Sequence, residues 1–115
     1  MKRMRRILAV PLLAAGLLTA GGAEVEAAYS DCGAALCYWA GQNAPGSPNW
    51  RYTSTGNSGV NYYTRYNGYS NRKVNRYTGP GQTGTGTCMN AGTGWSLTSP
   101  AYVGSHLIFG AGTIC

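Results

Sequence analysis

The 115-residue chain holds one histidine, His106, and three acidic side chains, Glu24, Glu26 and Asp31. Groups able to move a proton near neutral pH are therefore scarce. Nucleophilic hydrolysis needs a nucleophile, a base within hydrogen-bond reach and a group that orients the base. Serines are plentiful, but His106 lies in "SHLIF", alternating with apolar residues, and reads as a strand histidine with a structural hydrogen bond. Glu24 and Glu26 belong to an N-terminal leader described below, which leaves Asp31 alone and excludes glycoside hydrolysis by paired carboxylates. No phosphate-cradling sequence occurs, and the glycines of "GPGQTGTGTC" read as turns. A metal site is not expected, because the four cysteines are accompanied by a single histidine and offer no second ligand pair. The sequence is that of a protein expected not to be an enzyme and to carry no cofactor.

Binding is the chemistry that remains. The stretch "NYYTRYNGYSNRKVNRY", residues 61 to 77, contains five of the nine tyrosines, four positive side chains and no acid. Exposed rings stack on flat or ring-shaped ligands, and guanidinium groups hold anions. Within the stretch, Asn67-Gly68 predicts a two-residue hairpin turn, since both residues tolerate positive φ. The resulting register turns Val60, Tyr62, Tyr66 and Tyr69 inward and places Asn61, Tyr63, Arg65, Arg72 and Arg76 on the outer face. Lys73 and Val74 break this alternation, and a β-bulge near Arg72 is expected to exchange them. Tyr63, Arg65, Arg72 and Arg76 are the candidate binding residues of that face.

The segment "MKRMRR", an apolar run from Ile7 to Ala20 and the small-residue stretch "GGAEVEAA" follow the order of a secretory signal peptide. The apolar run is about 14 residues, short of the roughly 20 that a membrane-spanning helix needs. Residues 1–27 are expected to be a removed leader, and 28–115 a single secreted, extracellular β domain. Its charged side chains are Arg51, Arg65, Arg72, Lys73 and Arg76 against Asp31, a basic balance that suits acidic partners such as cell-wall polymers or membrane surfaces. Nucleic acid is not an expected partner for an exported domain of this modest charge, and a monomer is expected.

So small a domain needs covalent ties. In an oxidising compartment Cys32, Cys37, Cys88 and Cys115 are expected to form two disulfides, with three possible connectivities. Cys32 with Cys37 and Cys88 with Cys115 is preferred, since the first pair can staple one tight turn. Thirteen aromatic residues, including Trp39, Trp50 and Trp95, outnumber the large aliphatics after residue 27 and predict a core built of rings. Turn residues interrupt the chain every few positions, which predicts an all-β domain with strands near 35–40, 49–54, 60–66, 69–77, 86–90, 94–98 and 106–110.

"CGAALCYWAGQNAPG" with a tryptophan soon after, the Asn-rich "SNRKVNRYTG" and a second cysteine unit together resemble the streptomycete metalloproteinase-inhibitor family, whose fold is related to the βγ-crystallins. Cys32, Cys37, Tyr38, Trp39, Gly41 and Trp50 carry the first part of the likeness; Asn71, Val74 and Asn75 carry the second more loosely. The resemblance implies a small disulfide-stapled Greek-key sandwich that inhibits an extracellular protease through a disulfide-clamped loop. The nearest candidate loop lies at Cys88 and Met89. Where related domains place calcium ligands this chain has Arg72 and Lys73, which do not suit a hard cation. A cationic antimicrobial protein and a cell-wall or carbohydrate-binding module are the alternatives that composition supports.

Overall fold

In a computed structural model, which describes residues 28–115, Leu36–Trp39 forms the first strand, β1, and alternation sends its side chains to opposite faces. All four are buried. Leu36 and Tyr38 join a cluster with Tyr62, Val74, Met89 and Val103; Cys37 and Trp39 join another with Ala28, Cys32, Ala35 and Ala44. One short strand thus supplies both cores. The leader proposed for residues 1–27 lies outside the described residues.

The other strands are β2 (Trp50–Tyr52), β3 (Gly56–Asn67), β4 (Val74–Tyr77), β5 (Gly86–Met89) and β6 (Gly94–Ile108). They form one six-stranded sheet in the order β2-β1-β3-β6-β4-β5, antiparallel at every pairing. The segments expected at 94–98 and 106–110 are the two ends of β6, a single strand. Its pairing with β3 slips between Tyr62/Ala101 and Thr64/Ser96, so that Tyr63 alone faces the four residues 97–100. Pro100, which has no N–H to donate, sits in that irregularity.

Rings fill much of both cores. Trp39, Tyr38 and Tyr62 are the largest fully buried side chains. Tyr29 stacks on Tyr66 at 4.4 Å and leans on Trp39 at 5.7 Å, while Tyr38 contacts Tyr62 at 4.8 Å and Tyr52 at 6.2 Å. The Trp39 indole donates to the Gly46 carbonyl at 2.8 Å, whereas the Tyr38 hydroxyl is buried without a partner. Both disulfides have the preferred connectivity, Cys32–Cys37 and Cys88–Cys115, with Cα separations of 5.9 and 5.8 Å. The two disulfides are consistent with an extracellular protein, and no helix among the described residues is long and apolar enough to cross a membrane.

The hairpin expected at Asn67-Gly68 does not form. β6 lies between β3 and β4, and neither Asn67 nor Gly68 has the positive φ such a turn requires. Asn67 is fully buried and bonded elsewhere. Its N–H donates to Thr93 O and its carbonyl accepts from Gly92 N. Its amide nitrogen donates to the Arg72 and Met89 carbonyls, and its amide oxygen accepts from Tyr69 N. Gly68 passes so close to Cys32 and Ala35 that a Cβ there would overlap the Gly33 carbonyl oxygen; its missing side chain serves packing.

With the hairpin gone, the expected two-faced register changes. Tyr62 is buried and Tyr69 packs on the same core, but Tyr66 packs on the other. Val74 points inward as expected, yet no bulge near Arg72 is needed, because β4 begins only at Val74 and has no ladder with β3. Lys73 turns its ammonium over the Phe109 ring at 4.4 Å. Residues 37–41, "CYWAG", and 88–92, "CMNAG", share a short pattern but occupy different places: β1 is flanked by two strands, while β5 is an edge.

Two substitutions test this junction. Asn67→Ala removes three side-chain hydrogen bonds from a fully buried site, and the expected loss is about 3 kcal/mol of unfolding free energy, read from urea midpoints. Gly68→Ala must displace backbone to fit, and a loss of about 2 kcal/mol or more is expected in the same measurement.

Candidate anion-binding cleft

β3 and β6 run side by side with Arg65 directly opposite Trp95, so both side chains lie on the same face. β4 contributes Arg76 and β5 contributes Thr87, Cys88 and Met89. With Asn90, Thr93 and Gly94 these residues line a cleft of about 290 Å³. Gly94 is needed here, because a Cβ on it would come within 2.8 Å of the Arg65 carbonyl oxygen and the Tyr66 ring.

The wall is cationic on one side and aromatic on the other. Arg76 donates to the Tyr62 hydroxyl at 2.8 Å, while its Nε is buried without a partner. Asp31 is the only acidic side chain among the described residues, and it is not in the cleft. Burial pushes the Arg76 guanidinium below its ordinary pKa; the Tyr62 hydroxyl opposes that shift and the nearby Arg65 charge adds to it. Two like charges thus share a partly desolvated space with no carboxylate between them. Trp95 is 60% exposed and offers a ring face beside them. Thr87, Asn90 and Thr93 supply uncharged hydrogen-bonding groups.

One rim of the cleft is held by Asn67. Its bonds to Met89 O, Gly92 N and Thr93 O fix the turn at 90–93. Within the turn the Thr93 hydroxyl donates to the Asn90 carbonyl at 2.7 Å, and the Cys115 N–H donates to the Asn90 amide oxygen at 2.8 Å. The Cys88–Cys115 bridge ties the same region to the chain's last segment.

The residues singled out from sequence are dispersed by this topology. Arg65, Arg76, Cys88 and Met89 meet in the cleft, but Met89 is 5% exposed and its side chain belongs to the core. Arg72 lies over the Tyr69 ring at 4.9 Å, and neither it nor Tyr63 lines the cleft. The hairpin register that put Tyr63, Arg65, Arg72 and Arg76 on one outer face is absent, since β6 separates β3 from β4; of the four, Arg65 and Arg76 meet in the cleft. Trp95, Thr87, Asn90 and Thr93 were not among the expected site residues. The hint available for Trp95 was its position: a tryptophan flanked by Gly94 and Ser96, outside any apolar run. No group of three or more His, Cys, Asp or Glu side chains suited to a metal is present among the described residues.

His106 occupies β6 with 1% of its surface exposed. One ring nitrogen, Nε2, is 2.7 Å from the Ser54 carbonyl and the other, Nδ1, is 2.6 Å from the Ser58 hydroxyl. Burial pushes its pKa below the ordinary value, with the Ser54 contact opposing. A solvated histidine in the unfolded chain protonates near pH 6.5, so below that pH the unfolded state binds more protons than the folded state. Stability is present above this pH and falls as the pH drops through the window between 6.5 and the lower folded value. The urea midpoint is expected to be lower at pH 5.5 than at pH 7.5, and His106→Gln is expected to flatten that difference.

Comparison with known protein families, curated proteins and solved structures finds no match to this chain.

Proposed function

We propose that the protein is an exported binding domain that takes an anionic sugar polymer of the cell-wall type into the Arg65–Arg76–Trp95 cleft. The observation that carries this reading is the pair of guanidinium groups, Arg76 being partly buried, without an acidic side chain beside them. A guanidinium matches a carboxylate or phosphate oxygen pair in shape and charge. An anionic group of the polymer would relieve the repulsion between the arginines. The exposed Trp95 face would receive the adjoining sugar ring, and Thr87, Asn90 and Thr93 would bond its hydroxyls.

Affinity electrophoresis through gels containing polygalacturonate or dextran tests this reading. Retardation by the acidic polymer and not by the neutral one is expected. Replacing both arginines, Arg65→Gln with Arg76→Gln, should weaken binding about 100-fold or more, since charge-assisted hydrogen bonds are worth about 1.5–3 kcal/mol each and about 1.4 kcal/mol is tenfold. Equal retardation of the double variant, or equal retention on dextran, discards the reading. Binding to anionic vesicles in its place would favour an antimicrobial protein acting on membrane surfaces.

A second reading, a secreted proteinase inhibitor of Greek-key, βγ-crystallin-like architecture, is favoured by the turn at 90–93. That turn is exposed at Asn90, Gly92 and Thr93 and bonded at several points, and a loop ordered in advance loses little entropy on entering a protease cleft. Since Met89 faces the core, the contact would come from Asn90 to Thr93. Stoichiometric loss of thermolysin-like or subtilisin-like activity on titration would support this reading; full activity in molar excess removes it.

A further inference from the structure

Outside the cleft, the hydrogen bonds around His106 define its tautomer. The Ser54 carbonyl oxygen can only accept, so Nε2, 2.7 Å away, carries the proton. In the neutral imidazole Nδ1 then bears the lone pair, and at 2.6 Å it accepts the proton of the Ser58 hydroxyl. The ring is held in this orientation by Tyr52, packed against it at 4.5 Å. Nucleophile, base and orienting acceptor thus stand in line, the third role being filled by a main-chain carbonyl.

Ser58 also occupies an unusual backbone position. The pairing of β3 with β6 slips between Asn57/Ser105 and Val60/Val103, so Ser58 and Gly59 together oppose the single residue Gly104. This is a β-bulge, with Gly59 at φ +65, and bulges re-aim side chains away from the regular pleat. Ser58 remains partly exposed while its base is buried. Arg76 lies directly across from His106 on β4.

We propose that Ser58 is an activated nucleophile that accepts small acyl or phosphonyl groups, with His106 as its base. Burial keeps the imidazole in its free-base form at neutral pH, ready to take the serine proton. In the acyl step the Ser58 oxygen forms a bond to the carbonyl carbon of an activated ester. The hydroxyl proton passes to His106 Nδ1, and the bond to the leaving alkoxide breaks. His106 then returns the proton to the alkoxide, leaving acyl-Ser58 and a free alcohol. Neither Ser58 nor His106 lines the arginine cleft.

Treating the folded, disulfide-intact protein with an alkyl fluorophosphonate, followed by intact-mass measurement and peptide mapping, tests the proposal. In that reaction the serine oxygen bonds to phosphorus and fluoride leaves with the proton. A single adduct on Ser58 is expected, absent from Ser58→Ala and formed about 100-fold more slowly in His106→Gln, the rate a positioned base supplies. The exposed Ser47, Ser54 and Ser99 provide a comparison within the same digest, so the outcome does not depend on a variant that folds poorly. Absence of a Ser58 adduct, or labelling of Ser58 no faster than of Ser47 and Ser99, overturns the proposal.

Discussion

Five hydrogen bonds converge on Asn67, and the placement of the surrounding segments depends on them. Through its backbone the residue ends β3 against Gly92 and Thr93; through its side chain it holds Tyr69, Arg72 and Met89. An amide is suited to this task because it donates and accepts from one planar group. At so buried a position each of these partners would otherwise be a main-chain group left unpaired. The connection at 68–73 and the turn at 90–93 are therefore placed by one side chain. The rim of the cationic cleft inherits its rigidity from a residue that does not line it.

The chain has few large aliphatic side chains, and the fold meets that shortage in two ways. Rings take their place, with Tyr38, Trp39 and Tyr62 fully buried and each removing more apolar area than a valine would. Disulfides then remove freedom from the unfolded chain at both ends of the sheet, Cys32–Cys37 beside β1 and Cys88–Cys115 beside β5. Some buried polar atoms are left without a partner: the Tyr38 hydroxyl, the Asn75 amide oxygen and the Nε atoms of Arg72 and Arg76. An interior built of tyrosine and arginine holds charge and apolar surface close together. The cleft is where that interior opens to solvent.

Local properties were legible in the sequence and long-range pairing was not. The all-β class followed from turn residues at short intervals, and the disulfide pairing from the five-residue separation of Cys32 and Cys37. Burial of Tyr62 and Val74 was also readable. Asn67-Gly68 drew attention correctly but for the wrong physical reason: the same two residues that make a hairpin turn also make a polar plug and a close backbone approach. Which use prevails depends on β6, which arrives from far along the chain. The convergence of Arg65 with Arg76, and of Ser58 with His106 at a separation of 48 residues, depends on the same strand. No local pattern encodes such a meeting.

The sheet ends in two short strands, β2 with three residues and β5 with four. A free edge presents unpaired N–H and C=O groups to any passing strand, and its hazard grows with its length. Here the open ladders are brief, the Arg51 side chain of β2 is folded onto the Cys32 carbonyl, to which its Nε donates at 2.7 Å, and β5 is joined covalently to the final segment of the chain. Meanwhile the long strands β3 and β6 are paired to each other in the interior of the sheet. The order of strands thus does more than bring side chains together: it keeps the longest ladders, those most able to template a fibril, behind edges too short to start one.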